Sequence, residues 1–226
     1  MARKKTAAKN TAPKSAAKSA PKSGGKSGDP GAAMIEAALA LAAESGWTAV
    51  TIAAVAEQAG VALGDALLFA PTRAHLLVKF LDRLDAANLE GLAVPGDEGS
   101  ARDRLFDVLM RRFDLLNRKR GAVRAVMMGV PRDPPSAAML ACRVGRSAAA
   151  LLGAAGISAE GLIGFARVQG LKAVMACALK AWMSDDSADM AKTMAALDKA
   201  LGRAERLANF RASSFRSGRG PADAAV

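Results

Sequence analysis

The sequence predicts an all-α protein of about nine helices. Its residues are 51% hydrophobic but only 4% aromatic, with no tyrosine, a composition that favours helix over sheet. Apolar residues recur at three- and four-residue spacing, and Gly or Pro separates the periodic stretches. The 226 residues are enough for one or two domains with a hydrophobic core.

Residues 1–28 form a low-complexity segment of Lys, Ala, Ser, Pro and Gly with eight basic and no acidic side chains. Such a segment cannot bury apolar surface, so it is predicted to be disordered. Its charges could bind a nucleic acid through counterion release, or anionic lipid. The alternative is a tail that only increases solubility.

The first helix is predicted to begin at Asp29, which can cap it, and Pro30 suits its first turn. Gly46 can take the left-handed conformation that ends a helix. Trp47 follows and is expected in the core. One face of this helix is apolar and comprises Ile35, Leu39 and Ala42.

Residues 51–70 predict two short helices joined by a tight turn. Thr51 can cap the first, which extends to about Ala59, and Gly60 permits the turn. The second covers about Leu63 to Phe69, before Pro71. This pattern is typical of a helix-turn-helix, whose second helix enters the major groove when the motif binds DNA.

Thr72 is predicted to cap a fourth helix that reaches about Leu92 and carries Leu77, Phe80, Leu81 and Leu84 at helical spacing. The turn-forming loop from Val94 to Gly99 predicts a boundary between a domain of residues 29–94 and one of residues 95–210.

The second domain is predicted to hold five helices. Ser100 caps helix five, helix six covers about Ala122 to Met128, and Ser136 caps helix seven, which reaches about Leu152. Residues 102–124 contain eight basic and three acidic side chains, which form either a solvated face or a site for an anionic partner.

Helix eight is predicted from Ser158 and helix nine from about Asp186. Their broad apolar faces predict a homodimer through these two helices, and the alternative is burial of both faces within one subunit. Residues 211–226 are predicted to be disordered. The expected dimer contacts are Phe165, Leu171, Trp182, Met190, Met194, Leu197 and Leu201.

Residues 37–64 (AALALAAESGWTAVTIAAVAEQAGVALG) and 70–77 (APTRAHLL) resemble the DNA-binding domain of tetracycline-repressor-like (TetR) regulators. The resemblance extends over residues 29–89. It implies an all-helical homodimeric transcriptional regulator, usually a repressor, that binds double-stranded operator DNA and a small effector. The positions that it implies for DNA contact are Thr51, Ala62, Leu63, Gly64, Asp65, Leu67, Leu68, Thr72, Arg73 and Lys79.

Several of these positions depart from the family pattern. Family members usually carry Ser or Thr at Ala62, Thr near Asp65, Tyr near Leu67, and a basic or aromatic residue near Leu68. Residues 29–94 also carry a net charge of −5, which repels DNA at long range. The basic segment 1–28 could reverse that repulsion.

The same resemblance implies an effector site in the space between helices five, six, seven and eight, for an apolar or lipid molecule. Soft, adaptable side chains gather there, and ordinary core packing is the alternative interpretation. They are Phe113, Met127, Met128, Met139, Cys142 and Met175.

Residues 168–207 also resemble the lipid-binding accessory protein of ubiquinone biosynthesis, which has the TetR fold without reading DNA. That resemblance implies an isoprenoid lipid in the C-terminal domain. A third hypothesis is a structural dimer that uses residues 1–28 as a non-specific nucleic-acid tether.

No catalytic or metal-binding pattern is found. His75 is the single histidine, and Asp185, Asp186 and Asp189 suit a helix N-terminus better than a cation site. Two cysteines do not form a disulfide framework, and no uninterrupted apolar run predicts a transmembrane segment. We therefore expect a cytoplasmic protein without a cofactor and without enzyme activity.

Overall fold

The computed structural model describes residues 29–92 and 99–217, the last of these (207–217) by their backbone alone. These residues form α-helices and two short 3-10 turns, Trp47–Ala49 and Val130–Arg132, and no strand lies within them. The helices are α1 (Pro30–Ser45), α2 (Ile52–Ala59), α3 (Leu63–Phe69), α4 (Arg73–Leu89), α5 (Ala101–Asn117), α6 (Arg120–Gly129), α7 (Pro134–Ala154), α8 (Gly161–Met183) and α9 (Ala191–Ser217).

Three predicted segments lie wholly or largely outside the described residues: the basic segment 1–28, the loop from Val94 to Gly99, and residues 218–226. The predicted start of disorder at Arg211 differs from the structure, because α9 continues to Ser217. Residues 211–217 contain neither Gly nor Pro, so nothing in that stretch ends the helix.

The first hydrophobic core joins α1, α2, α3 and α4. It includes Trp47 and the three residues predicted to face inward from α2, namely Ile52, Val55 and Ala56. Val126 and Val130, which follow the predicted domain boundary, belong to this same core. The N-terminal helices therefore rest directly on α6, and the two sequence domains share an apolar junction.

The second core lies between α4, α5, α7, α8 and α9. Leu109, Leu151, Trp182 and Leu197 are fully buried within it. Because α4 contributes to both cores, it is the structural link between the N-terminal and C-terminal parts of the chain.

Three predicted helix caps are confirmed. Oδ1 of Asp29 accepts hydrogen bonds from the N–H groups of Gly31 and Ala32, Oγ1 of Thr51 accepts one from Ala54, and Oγ of Ser100 accepts one from Asp103. Each satisfies a backbone donor that the first turn leaves without a partner.

Two predicted caps differ in the structure: Thr72 is the N-cap residue of α4 but makes no side-chain cap bond, and Ser136 caps no helix. The side chain of Thr72 makes no cap bond, because its Oγ1 lies 2.9 Å from Nδ1 of His75. Ser136 lies inside α7, which begins at Pro134, and its hydroxyl is buried against Trp47. In both cases another side chain competes for the hydroxyl.

The predicted beginnings of α8 and α9 are also shifted by a few residues. Gly161, with φ of +65°, begins α8 in place of Ser158. Asp185 organises the turn before α9, since it accepts hydrogen bonds from the backbone N–H of Thr193 at 2.8 Å and from its hydroxyl at 2.7 Å. Asp186 points elsewhere, with its carboxylate 3.6 Å from Nη1 of Arg124.

Two described helices, α7 and α8, are long and apolar enough to cross a membrane, judged by length and composition alone. The bent pair α2–α3 meets the same criteria if it is counted as one segment. The sequence predicted no such segment. Within α7, Arg143 is buried and forms ion pairs with Asp82 and Asp85 of α4.

Candidate nucleic-acid interface

The turn between α2 and α3 has the geometry of a helix-turn-helix. The chain direction changes by 117° between the two helices. Gly60 takes the left-handed conformation with φ of +66°, and the N–H of Val61 donates to the carbonyl of Ala56 at 2.9 Å. Helix pairs of this motif cross at about 90–120° and need such a turn, so the predicted motif is present.

The exposed face of α3 is apolar and lacks cations. Ala66 is the buried residue of this helix, and it packs toward α1 and α2. On the other face Leu63, Leu67 and Leu68 are 49%, 44% and 86% exposed. This face also presents three more of the residues that the sequence predicts for DNA contact, Ala62, Gly64 and Asp65, whereas Thr51 and Thr72 precede α2 and α4.

The basic side chains near α3 are largely engaged. Arg73 and Arg83 form ion pairs with Asp133 and Asp29. Lys79 is exposed, and its ammonium lies 5.4 Å from the centre of the Phe69 ring at the end of α3. Among residues 29–92, Lys79 is therefore the cation best placed to reach a phosphate beside this helix.

The start of α1 lies against the end of α3. A Cβ atom on Gly31 would come within 2.7 Å of the Phe69 ring, so Gly permits this close approach without a shift of the ring. Asp29, two residues earlier, contacts Arg83 of α4. The basic segment 1–28 is therefore joined to the structure beside the helix-turn-helix.

Solved structures with this arrangement belong to TetR regulators. The TetR transcriptional regulator from Nitrosomonas europaea ATCC 19718 superposes with a TM-score of 0.62 at 21% identity, over 79% of this chain and 99% of that chain. The chain has the TetR fold. The regulator from Rhodococcus sp. RHA1 gives a TM-score of 0.57 at 23% identity, over 77% of this chain and 94% of that chain.

A TetR-family regulator from Streptomyces coelicolor is also similar, with a TM-score of 0.56 at 16% identity, over 83% of this chain and 85% of that chain. No protein-family model and no curated protein sequence matches this chain. The similar structures named here are described as transcriptional regulators.

In this TetR fold, Arg73 is fixed at the junction between the two parts of the chain. Its Nε lies 2.8 Å from Oδ2 of Asp133, its Nη2 lies 3.1 Å from Oδ1, and its Nη1 donates to the carbonyl of Thr48 at 3.0 Å. The hydrogen bond from Arg73 holds the pKa of the Asp133 carboxyl below its ordinary value. This arginine is therefore committed to an internal ion pair.

Trp47 completes the same junction. Its indole N–H donates to Oγ of Ser136 at 3.1 Å, and the Ser136 hydroxyl donates to Asp133. Asp133 thus receives hydrogen bonds from α4 and α7 at once. Sequence reasoning missed this role, because nothing near Asp133 in the chain indicates its partners.

A second charged cluster lies between α4, α5 and α7. Asp85 is buried and accepts hydrogen bonds from Arg112, from Arg143 at 2.7 Å and from Ser147 at 2.6 Å. Burial raises the pKa of Asp85, but Arg112, Ser147 and Arg143 outweigh it and leave that pKa below its ordinary value. A signal present in the sequence is the spacing of Arg112, which lies seven residues after Leu105 and four before Leu116, on the buried side of α5.

The six residues predicted for an effector pocket line neither of two cavities found in the described part of the chain. Phe113 is buried in the second core, whereas Met127, Met139 and Met175 are partly buried. Met128 and Cys142 are exposed. The larger cavity lies instead between α1, α4 and α5.

The residues predicted for the dimer interface divide into two groups. Leu171, Trp182, Met190, Leu197 and Leu201 are buried inside the protomer, where α8 packs on α9, and Met194 is partly buried. Phe165 is 63% exposed and lies on α8 close to Leu162, which is 90% exposed. The free apolar surface of α8 therefore lies mainly near its N-terminal end.

Proposed function

We propose that the protein is a DNA-binding transcriptional regulator of the TetR type, acting as a homodimeric repressor in the cytoplasm. The observation that carries this proposal is the exposure of α3 on a rigid support of α1, α2 and α4. A helix held in this way can enter the major groove, as the second helix of this motif does.

The affinity for DNA comes mainly from residues 1–28. Residues 29–94 carry a net charge of −5, and two of their three cations are in ion pairs. The eight basic side chains before Asp29 are joined beside α3 and supply the missing positive charge. Each phosphate that they neutralise adds about 0.9 to the log–log slope of affinity against salt.

Base-specific contact from α3 comes from apolar groups and from one carboxylate, that of Asp65, which can accept from a cytosine amino group. The exposed leucines, Leu63, Leu67 and Leu68, can contact thymine methyl groups in the major groove. Asp65 opposes phosphate contact at this surface. The first N–H groups of α4 have no side-chain cap, so they can donate to a phosphate. We therefore expect modest sequence preference combined with strong salt dependence.

Dimerisation is proposed through the exposed side of α8. Phe165 and Leu162 are large apolar residues that water surrounds in the single chain. The residues that follow on the same side, Ala166, Ala173 and Ala176, are small and exposed, so the same helix of a second copy can approach closely. An operator with two half-sites would match such a dimer.

Two further functions are weaker proposals. A lipid-binding accessory protein of the ubiquinone type would need a cavity within the C-terminal helices, whereas the larger described cavity lies at the α1–α4–α5 junction. A purely structural dimer with residues 1–28 as a tether would bind DNA without any contribution from α3.

We propose a small apolar effector for the regulator, without a cofactor.

Fluorescence anisotropy with the full chain tests the proposal. Labelled DNA from the upstream region and a random duplex are titrated at several salt concentrations with the wild type, with a variant whose basic residues in 1–28 are replaced by Gln, and with Leu68→Ala. We expect the Gln variant to lose most affinity and most of the salt slope. Leu68→Ala is expected to reduce the preference for upstream DNA.

The outcomes separate the candidate functions. Failure of the wild type to bind either duplex at low salt contradicts DNA binding as a whole. Equal affinity for both duplexes, unchanged in Leu68→Ala, supports the tether. Selective binding that requires Leu68 supports the regulator.

A further inference from the structure

A cleft of about 190 Å³ opens between α1, α4, the end of α5 and the start of α6. Its floor is apolar throughout. The residues that form this floor are Ala32, Ile35, Leu39, Phe80, Leu84, Ala87, Leu115 and Val123. The volume is below the roughly 300 Å³ of pockets for drug-sized ligands, so the cleft suits a small or narrow molecule.

The rim of this cleft is positively charged. Arg83, Arg118 and Lys119 line it together with a single acid, Glu36. Lys119 forms an ion pair with Glu36, and Arg83 forms one with Asp29. Arg118 is exposed at the rim and has no ion pair within the described part of the chain. One positive charge therefore remains uncompensated beside an apolar floor.

We propose that this cleft is a binding site for a free carboxylate with a medium-length acyl chain. The chain lies on the floor between Leu39, Leu84 and Leu115, where it is removed from water. The carboxylate meets the guanidinium of Arg118, which can donate two parallel hydrogen bonds to it. An uncharged acyl chain lacks the hydrogen bonds to Arg118, and a short carboxylate lacks the contact with the apolar floor.

Because of the position of the cleft, a bound ligand can alter the position of α3. Its walls come from α1 of the first core and from α4 and α5, which the second core holds. An acyl chain bound between these walls changes the distance between α1 and α4. It therefore changes the position of α3 relative to these two helices. This consequence rests on the proposed function, whereas the binding site rests on the cleft itself.

Isothermal titration calorimetry of the full chain, without DNA, tests the site. Decanoate is titrated below its critical micelle concentration, with decanol and acetate as the two comparison ligands. We expect one saturable decanoate site per chain. Decanol and acetate are expected to bind at least about tenfold more weakly, because each lacks one of the two contacts.

Variants locate the site. Arg118→Gln removes the charge and is expected to weaken decanoate binding about tenfold or more. Ala87→Phe fills the cleft and is expected to abolish binding, provided that its thermal unfolding shows a folded protein. Arg146→Gln removes an exposed arginine of α7 that does not line the cleft, and it should bind as the wild type does.

Absence of decanoate binding overturns the site, and so does equal affinity of the wild type and Arg118→Gln. If Ala87→Phe does not fold, the Arg118→Gln comparison alone decides. DNA titration of the same samples is a separate measurement. Loss of DNA binding with intact decanoate binding contradicts the proposed function and leaves the site supported.

Discussion

Arg73 and Asp133 lie 60 residues apart in the chain, yet they form a bidentate ion pair with N–O distances of 2.8 and 3.1 Å. The pair fixes the beginning of α4 to the beginning of α7. Arg73 also donates to the carbonyl of Thr48, so three segments meet at one guanidinium. Arg73 therefore holds the N-terminal and C-terminal parts of the chain together.

Arg73→Ala should lower stability without changing the salt dependence of DNA binding. The substitution leaves the buried Asp133 carboxylate without its main partner, which costs about 2 kcal/mol of unfolding free energy. Urea denaturation measures that loss, and DNA titration against salt measures the slope. Lys79→Ala is the control, and it should leave stability nearly unchanged. If Arg73→Ala reduced the salt slope of DNA binding more than Lys79→Ala does, the structural role of Arg73 would be contradicted.

Acidification should weaken the same junction. The pKa of Asp133 is lowered in the folded protein, so its ion pair stabilises the fold fully above the unfolded-state pKa of about 3.9. That contribution is lost as the pH falls through the folded pKa. We expect the difference in unfolding free energy between wild type and Asp133→Asn to be larger at pH 7 than at pH 3. An equal difference at both pH values would show that the charge of Asp133 is not involved.

Gly129→Ala should destabilise the junction by about 1–3 kcal/mol, because the new Cβ would lie 2.6 Å from Cβ of Trp47. Gly121→Ala provides a matched control within α6, since no atom lies within 4 Å of its added Cβ. That substitution should stabilise the helix by up to about 1 kcal/mol. Thermal denaturation of both variants should therefore give shifts of opposite sign, and two shifts of the same sign would contradict the packing of α6 on Trp47.

Asp85→Ala should be the most damaging of these substitutions. It removes the carboxylate that faces the buried guanidinium groups of Arg112 and Arg143, and leaving buried charges unpaired costs about 3–5 kcal/mol. Chemical denaturation measures the loss. Asp114→Ala, an exposed acid of α5, should change stability by less than about 0.5 kcal/mol. Similar losses in the two variants would contradict a buried role for Asp85.

Local signals predicted much of the fold. Several features depend on residues within a few positions of one another, so they could be predicted from the sequence. These features are the caps at Asp29, Thr51 and Ser100, the turn at Gly60 and the limits of α3. The inward faces of α1 and α2 followed from helical periodicity in the same way.

Contacts between distant residues could not be predicted in this way. The family resemblance assigns Arg73 to DNA, and only the folded chain brings Asp133 to it. The charged run on α5 indicated a solvated face, but Arg112 lies on the buried side because Asp85 of α4 meets it there. The apolar faces of α8 and α9 suited a dimer equally well, until the structure showed that they largely pack on each other.

The two anchors of α4 have a mechanical consequence. Arg73 ties the first turn of α4 to the start of α7, and Asp82 and Asp85 tie its second half to Arg143, about 14 to 18 Å farther along the helix at 1.5 Å per residue. A helix held at two such separated points resists both rotation and bending relative to α7. The two helices therefore move as one rigid unit, so a displacement of α7 would also displace the first turn of α4, which directly follows α3 in the chain.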